Sequence, residues 1–207
     1  MHQLDYRVIQ SGSSGNAVRI ADIMIDCGIP YTRMRDELYK CKLLFITHKH
    51  SDHLNIRTYS AIKKNYRHIK TIANYDVATK ITPDFILGDS PRKIKTKNYV
   101  ITPFKVNHDV VTHGLTIAFR DGINVIYVTD SAGTDEWPKG KYDYLFLESN
   151  HDENILNLAS GQHYGYDVFA ISKRHTSKQE AKAFYYLNRK SKDSEFIELH
   201  KSQRFYR

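Results

Sequence analysis

Between Thr47 and His53 the chain reads Thr-His-Lys-His-Ser-Asp-His, so four metal-ligand side chains, His48, His50, Asp52 and His53, fall within six positions. Imidazole and carboxylate together suit divalent first-row cations. In a short turn the alternation lets His48 and His50 face one side while Asp52 and His53 face the other. One loop can then supply half of a two-metal site. Leu43-Leu44-Phe45-Ile46 directly precedes the run, and an apolar stretch of that length reads as a buried strand. Ligands on a loop just past a core strand are held rigidly, as hydrolytic chemistry requires.

With 207 residues, 41% of them hydrophobic, the chain is expected to form one globular domain over 1–207 with a sizeable core. Prolines are few, glycines are scattered, and neither a linker nor a repeat is evident. The start, Met1-His2-Gln3-Leu4-Asp5-Tyr6-Arg7, lacks the apolar stretch of a signal peptide. No apolar run approaches membrane-spanning length. Cys27 and Cys41 are too few for a disulfide framework and too far apart for a CxxC motif, which leaves buried free thiols as the better expectation. A soluble, cytoplasmic protein without a membrane partner is expected. The net charge of +8, with many basic residues between Lys173 and Arg207, favours anionic partners, and phosphodiesters are the obvious class.

Short β-rich segments dominate the first half: Tyr6–Gln10, Ala17–Ile20, Ile23–Asp26 and Leu43–Ile46. Ser11-Gly12-Ser13-Ser14-Gly15-Asn16 is a turn by its chemistry. Helices are expected over Ile56–Asn65, over Asn74–Lys80, and over Ser177–Asn188, where Thr176 or Ser177 is the N-cap and Glu180 completes a capping box. Strands return at Tyr99–Phe104, Leu115–Phe119, Val125–Val128, Tyr144–Leu147 and Glu195–Leu199. Strands interleaved with helices indicate a layered α/β arrangement. Three further ligand-type residues, His108, Asp130 and His200, each follow one of these strands. Strand ends on one sheet edge converge, so separate loops can build one pocket.

In these motifs the chain resembles the metallo-β-lactamase-fold hydrolases, and among them the phosphodiesterase branch that contains tRNase Z and the YycJ/WalJ-type exonucleases. Ser11–Ala17 resembles the opening turn of the YycJ type, and Ile25-Asp26-Cys27-Gly28 the strand that ends in Asp and Gly. His48, His50, Asp52 and His53 match the hallmark motif, Asn107-His108-Asp109 the third, and Thr129-Asp130-Ser131-Ala132-Gly133 the bridging-aspartate motif. Leu147–Asp152, around Glu148, is similar to a Glu-containing motif. His175–Ala181 resembles the His motif that opens a helix in tRNase Z, and Leu199–Tyr206 the last ligand motif.

The resemblance implies a four-layer αβ/βα sandwich holding two divalent ions, Zn²⁺ or Mn²⁺. One metal would take His48, His50 and His108. The other would take Asp52, His53 and His200, with Asp130 bridging and Asp26 fixing a ligand imidazole. Ions about 3.5–4 Å apart would hold a bridging hydroxide that attacks the phosphodiester. His175 would protonate the leaving oxygen, oriented by Glu148, and Asp52, His175 and Glu148 form the catalytic set. The alternative makes His175 the last ligand and His200 structural. Asn150 and His151 are pocket candidates and His113 is read as a loop residue. Lys201 and Arg204 are placed to meet a phosphate, and Tyr164, Tyr166, Tyr185 and Tyr186 to stack on bases.

β-Lactam-hydrolysing members often carry Cys where Asp130 stands, which argues against that activity. tRNase Z commonly inserts a long arm between its third and fourth motifs. Here 130 − 108 leaves 22 positions, which speaks against tRNA 3′ processing. A compact core suits nucleic-acid ends or, alternatively, small cyclic nucleotides, for which pairing into a homodimer would complete the pocket. Thioester or lactone hydrolysis, and a non-catalytic metal-stabilised binding module, are the remaining readings.

Overall fold

The computed structural model describes residues 3–88, 92–158, 172 and 174–206. Its contacts divide the chain into two compact units, 1–92 and 93–207. Each unit is organised round one six-stranded sheet.

In the first unit the strands are β1 (Tyr6–Gln10), β2 (Ala17–Ile20), β3 (Ile23–Ile25), β4 (Leu43–Ile46), β5 (Lys70–Asn74) and β6 (Phe85–Leu87), and they lie in chain order across the sheet. β1, β2 and β3 form an antiparallel meander, and β3 to β6 run parallel. The parallel strands are joined through α1 (Tyr31–Leu38), α2 (Ile56–Asn65) and α3 (Tyr75–Ala78). Parallel strands are covered on both faces and so read as unbroken apolar runs. β4 fits that rule, with Leu44, Phe45 and Ile46 fully buried. Asn55 caps α2 by accepting the Thr58 N–H at 3.1 Å, and Asn74 caps α3 through the Val77 N–H at 2.9 Å. Met34 and Leu38 of α1 and Tyr59 and Ile62 of α2 pack on Met24, Leu44 and Ile46.

A buried Arg19 in β2 donates to Glu37 Oε2 and Asp5 Oδ1, both at 2.6 Å, and to the Ala21 carbonyl at 2.7 Å. Cys27 and Cys41 are buried free thiols. Burial pushes Cys41 up to about 12, so it stays protonated.

In the second unit the strands are β7 (Ile94–Lys95), β8 (Tyr99–Val106), β9 (Thr112–Phe119), β10 (Asn124–Val128), β11 (Tyr144–Glu148) and β12 (Glu195–Leu199), again in chain order. β7 to β10 are antiparallel, and β10, β11 and β12 run parallel. Among the described residues, α4 (Glu153–Leu158) and α5 (Lys178–Asn188) fall between β11 and β12. Ser177 opens α5 with a complete capping box: its Oγ accepts the Glu180 N–H at 3.1 Å, and Glu180 Oε2 accepts the Ser177 N–H at 2.8 Å. Trp137, Phe184, Leu145 and Leu147 belong to the core of this unit.

Among the described residues no helix is long and apolar enough to cross a membrane. β9 begins at Thr112, so His113 is a strand residue, 1% exposed and paired in register with Lys105. The loop expected there is absent because β8 and β9 extend two residues past Phe104 and three residues before Leu115.

Candidate metal centre

The chemistry-bearing residues sit where strands end, as open α/β sheets place their sites beyond the carboxyl ends of their strands. Asp26 follows β3, His48 lies two residues past β4, Asp130 lies two past β10, and His200 follows β12. Glu148 is the last residue of β11. Asp26, Asp130 and His200 all take positive φ, at 63°, 50° and 53°. A non-glycine residue there is uncommon and costs about 1–3 kcal/mol, and such strain collects at functional sites.

In the first unit Asp26 anchors the metal loop. The Thr47 N–H donates to Asp26 Oδ1 at 2.8 Å and the Thr47 hydroxyl reaches Oδ2 at 2.9 Å. His53 Nδ1 lies 2.7 Å from Oδ2, with both side chains fully buried. Burial raises the pKa of Asp26, opposed by the charge and hydrogen bond of His53 and by Thr47. A proton shared between His53 Nδ1 and the carboxylate makes Nε2 the lone-pair nitrogen, and Nε2 lies 3.6 Å from Asp52 Oδ2. This carboxylate–imidazole arrangement is the one found behind metal-ligating histidines.

The His48 ring lies 4.7 Å from that of His50 and 4.1 Å from that of His53. His48 Nε2 and His50 Nδ1 are 3.1 Å apart. Two nitrogens bound to one cation at about 2.1 Å stand roughly 3–3.4 Å apart, so this spacing fits a shared metal. The Thr47 hydroxyl lies 3.0 Å from His48 Nδ1 and 3.3 Å from His53 Nδ1.

In the second unit the ligand-type atoms of Asp130, Glu148, His175 and His200 all lie within 4.8 Å of one another. His175 Nδ1 is 2.6 Å from Glu148 Oε1 and 3.7 Å from Asp130 Oδ1. His200 Nδ1 lies 3.3 Å from Glu148 Oε1, and its Nε2 lies 3.5 Å from Asp130 Oδ1. The two imidazoles stack, with centroids 5.0 Å apart, and the His108 ring is 6.0 Å from that of His175.

Glu148 is fully buried. Its Oε2 accepts the Ser131 N–H at 2.7 Å and the Thr176 N–H at 3.1 Å. Burial alone would raise its pKa, but the charge and hydrogen bond of His175 outweigh that and bring it below the usual carboxylate value. For His175 burial acts downward, and Glu148 overcomes it and raises the pKa. The carboxylate thus holds a proton on Nδ1 and leaves Nε2 as the outward face.

The loop after β10 is pinned from behind. The Trp137 indole donates to Ser131 Oγ at 2.9 Å and the Thr176 hydroxyl to the Ser131 carbonyl at 2.7 Å. Asn150 donates to the His200 carbonyl at 2.8 Å, and His151 is 94% buried with its pKa lowered by that burial.

Lys201 meets Glu198 at 2.7 Å and lies over the Tyr206 ring at 4.6 Å. Tyr185, half-buried against the core, stacks on Phe196 and donates to the Ser194 carbonyl at 2.8 Å. Tyr186 is exposed, with the Arg189 guanidinium 4.9 Å above its ring. Tyr164, Tyr166, Lys173 and Arg207 lie outside the described residues. Sequence reasoning gave no role to Thr47 or Asn16. Thr47 was legible only as the residue before a ligand, and Asn16 only as the end of a glycine-rich turn.

No protein-family model matches the chain. It is 26% identical to exodeoxyribonuclease WalJ from Streptococcus pneumoniae, over 75% of this chain and 65% of that protein, so the match spans less than two thirds of the relative. Among solved structures, the metallo-β-lactamase-fold protein YhfI from Bacillus subtilis superposes with a TM-score of 0.71 at 19% identity, over 96% of this chain and 86% of its own. The short form of human tRNase Z gives 0.65 at 16% identity, over 96% and 93%. A diphosphatase of the PhnP family gives 0.68 at 15%, over 98% and 88%.

Proposed function

We propose that this chain, which has the metallo-β-lactamase fold, is a metal-dependent hydrolase of phosphodiester bonds acting on nucleic acid. The observation that carries the reading is the buried Glu148 paired with a partly exposed His175 beside Asp130 and His200. Phosphodiesters have poor leaving groups, and an imidazole held protonated by a buried carboxylate supplies the proton that such a group needs. The thiolate leaving group of a thioester departs without that help. WalJ, an exodeoxyribonuclease at 26% identity, and the net charge of +8 favour a polynucleotide.

His48, His50 and His108 would hold one divalent cation and Asp52, His53 and His200 a second, with Asp130 shared between them. The donor chemistry fits Zn²⁺ or Mn²⁺, because mixed imidazole and carboxylate oxygen ligands suit both. When bound, such a pair activates water and neutralises phosphate charge. The residues themselves do the rest. Asp26 fixes His53 through Nδ1, Glu148 orients His175, and His175 delivers a proton from Nε2 to the departing oxygen.

Product analysis tests the reading. End-labelled DNA and RNA and cyclic mononucleotides are offered in parallel with added Mn²⁺ or Zn²⁺, with Asp130→Ala as the blank. Stepwise shortening of the polymer with cyclic compounds intact is expected. Linear mononucleotide from the cyclic substrate alone would instead identify a small-ligand phosphodiesterase. Inactivity on both would point to thioesters and lactones.

A further inference from the structure

The turn from Ser11 to Asn16 contributes no side chain to the ligand set, yet it grips the metal loop. Asn16 is 1% exposed. Its backbone N–H donates to the Asp52 carbonyl at 2.7 Å. Its side-chain Nδ2 lies 3.3 Å from the same oxygen and 2.8 Å from His53 Nε2. The carboxamide is oriented from the turn itself: the Gly12 N–H donates to Oδ1 at 2.8 Å, and Nδ2 donates to the Gly12 carbonyl at 3.0 Å.

Behind this contact the strand-end segment closes the grip. The Gly28 N–H donates to the Asn16 carbonyl at 3.0 Å and the Cys27 N–H to the His53 carbonyl at 2.9 Å. The backbones approach so closely that a Cβ on Gly28 would stand 1.7 Å from the Asp52 carbonyl oxygen. Asp52 and His53 are therefore held from both sides by residues distant in sequence.

The two nitrogens of His53 meet opposite partners. Nδ1 faces the Asp26 carboxylate at 2.7 Å, an acceptor, and Nε2 faces the Asn16 amide, whose orientation is set by the Gly12 N–H. A donor beside Nε2 favours the tautomer with a lone pair there, which is the form a metal can take. An acceptor in the same place would draw the proton to Nε2 and block it. Nδ2 has two hydrogens and three acceptors within reach, the Gly12 and Asp52 carbonyls and His53 Nε2; when Nε2 engages a cation, both hydrogens turn to the carbonyls and the amide stays anchored.

We propose that Asn16 is a positioning residue for the Asp52–His53 half of the metal centre, fixing the Asp52 backbone and presenting His53 Nε2 as a ligating nitrogen. This inference rests on the dinuclear reading given above. The expected consequence is selective: loss of the Asn16 amide weakens the second metal by about 10- to 100-fold, as changes to outer partners of metal ligands do, and leaves the first unchanged.

The test is a metal titration of the metal-stripped full chain by calorimetry and elemental analysis, alongside thermal unfolding. Wild type, Asn16→Ala and Asn16→Asp are compared. Asn16→Asp keeps the oxygen that receives the Gly12 N–H but sets an acceptor against Nε2 and against the Gly12 and Asp52 carbonyls, so its thermal unfolding is read beside its metal binding. It carries the test should Asn16→Ala fail to fold. Two bound equivalents in wild type, with the second alone weakened in the variants, supports the assignment. Two equivalents in wild type with both unchanged, both weakened equally, or the second strengthened in Asn16→Asp overturns it. Fewer than two equivalents in wild type would bring down the dinuclear reading itself, and this inference with it.

Discussion

Replacing Glu148 with Gln separates what the carboxylate does for the fold from what it does for the chemistry. Oε2 receives the two backbone N–H groups, of Ser131 and Thr176, and a glutamine carbonyl oxygen can keep both. The amide nitrogen then replaces Oε1, 2.6 Å from His175 Nδ1, where one donor meets another. One charge-assisted hydrogen bond is lost, worth about 1.5–3 kcal/mol. At about 1.4 kcal/mol per tenfold, kcat should fall roughly 10- to 100-fold, with KM little changed. Glu148→Ala also strands both buried N–H groups, adding about 2–6 kcal/mol of destabilisation. The assay is steady-state hydrolysis of a dinucleotide and of bis(p-nitrophenyl) phosphate, with thermal unfolding of each variant. A nitrophenolate leaves without a proton, so Glu148→Gln should lose far more on the dinucleotide. Equal losses on both substrates, or Glu148→Ala as stable as Glu148→Gln, would refute the reasoning.

Gly28→Ala forces a methyl into the Asp52 carbonyl, 1.7 Å away; urea unfolding should show a loss of about 3 kcal/mol, with metal retention reduced. Glu37→Ala leaves the buried Arg19 guanidinium with the largely exposed Asp5 as its remaining carboxylate partner, and denaturant titration should show a loss of about 3 kcal/mol. His113 has its pKa lowered from 6.5 to about 4 by burial, helped by the Lys105 charge. The unfolded chain therefore binds the proton first, and stability falls as pH drops from 6.5 through 4. The difference amounts to about 3 kcal/mol in total, and His113→Leu should lose about that much less stability on acidification from above pH 6.5 to below pH 4.

What was legible in the sequence was what local chemistry determines. β4 announced itself because a strand buried on both faces carries no polar break, and α5 because Ser177 and Glu180 form a capping box. α1 went unread: Pro30 precedes it without a side-chain cap, its first turn has no acidic residue, and charged residues interrupt its apolar positions. β5, Lys70–Asn74, is short and lies between a helix and a capping Asn. β6 is an edge strand with Phe85 and Ile86 exposed, so it shows no clean alternation. At the candidate site the His, Asp and Glu positions after the strands could be named from spacing and resemblance. The left-handed backbone at Asp26, Asp130 and His200 was not, since no glycine marks it. Nor was the Asn16 contact, which joins residues 37 positions apart.

The central claim is that two cations held by this chain cleave a phosphodiester, and one titration addresses it. Metal-stripped protein receives Mn²⁺ in fractional steps while bound metal and hydrolysis of a labelled oligonucleotide are read from the same samples. The account predicts two equivalents bound and cleavage that rises only with the second. Full cleavage at one equivalent, or no cleavage with two bound, would contradict it.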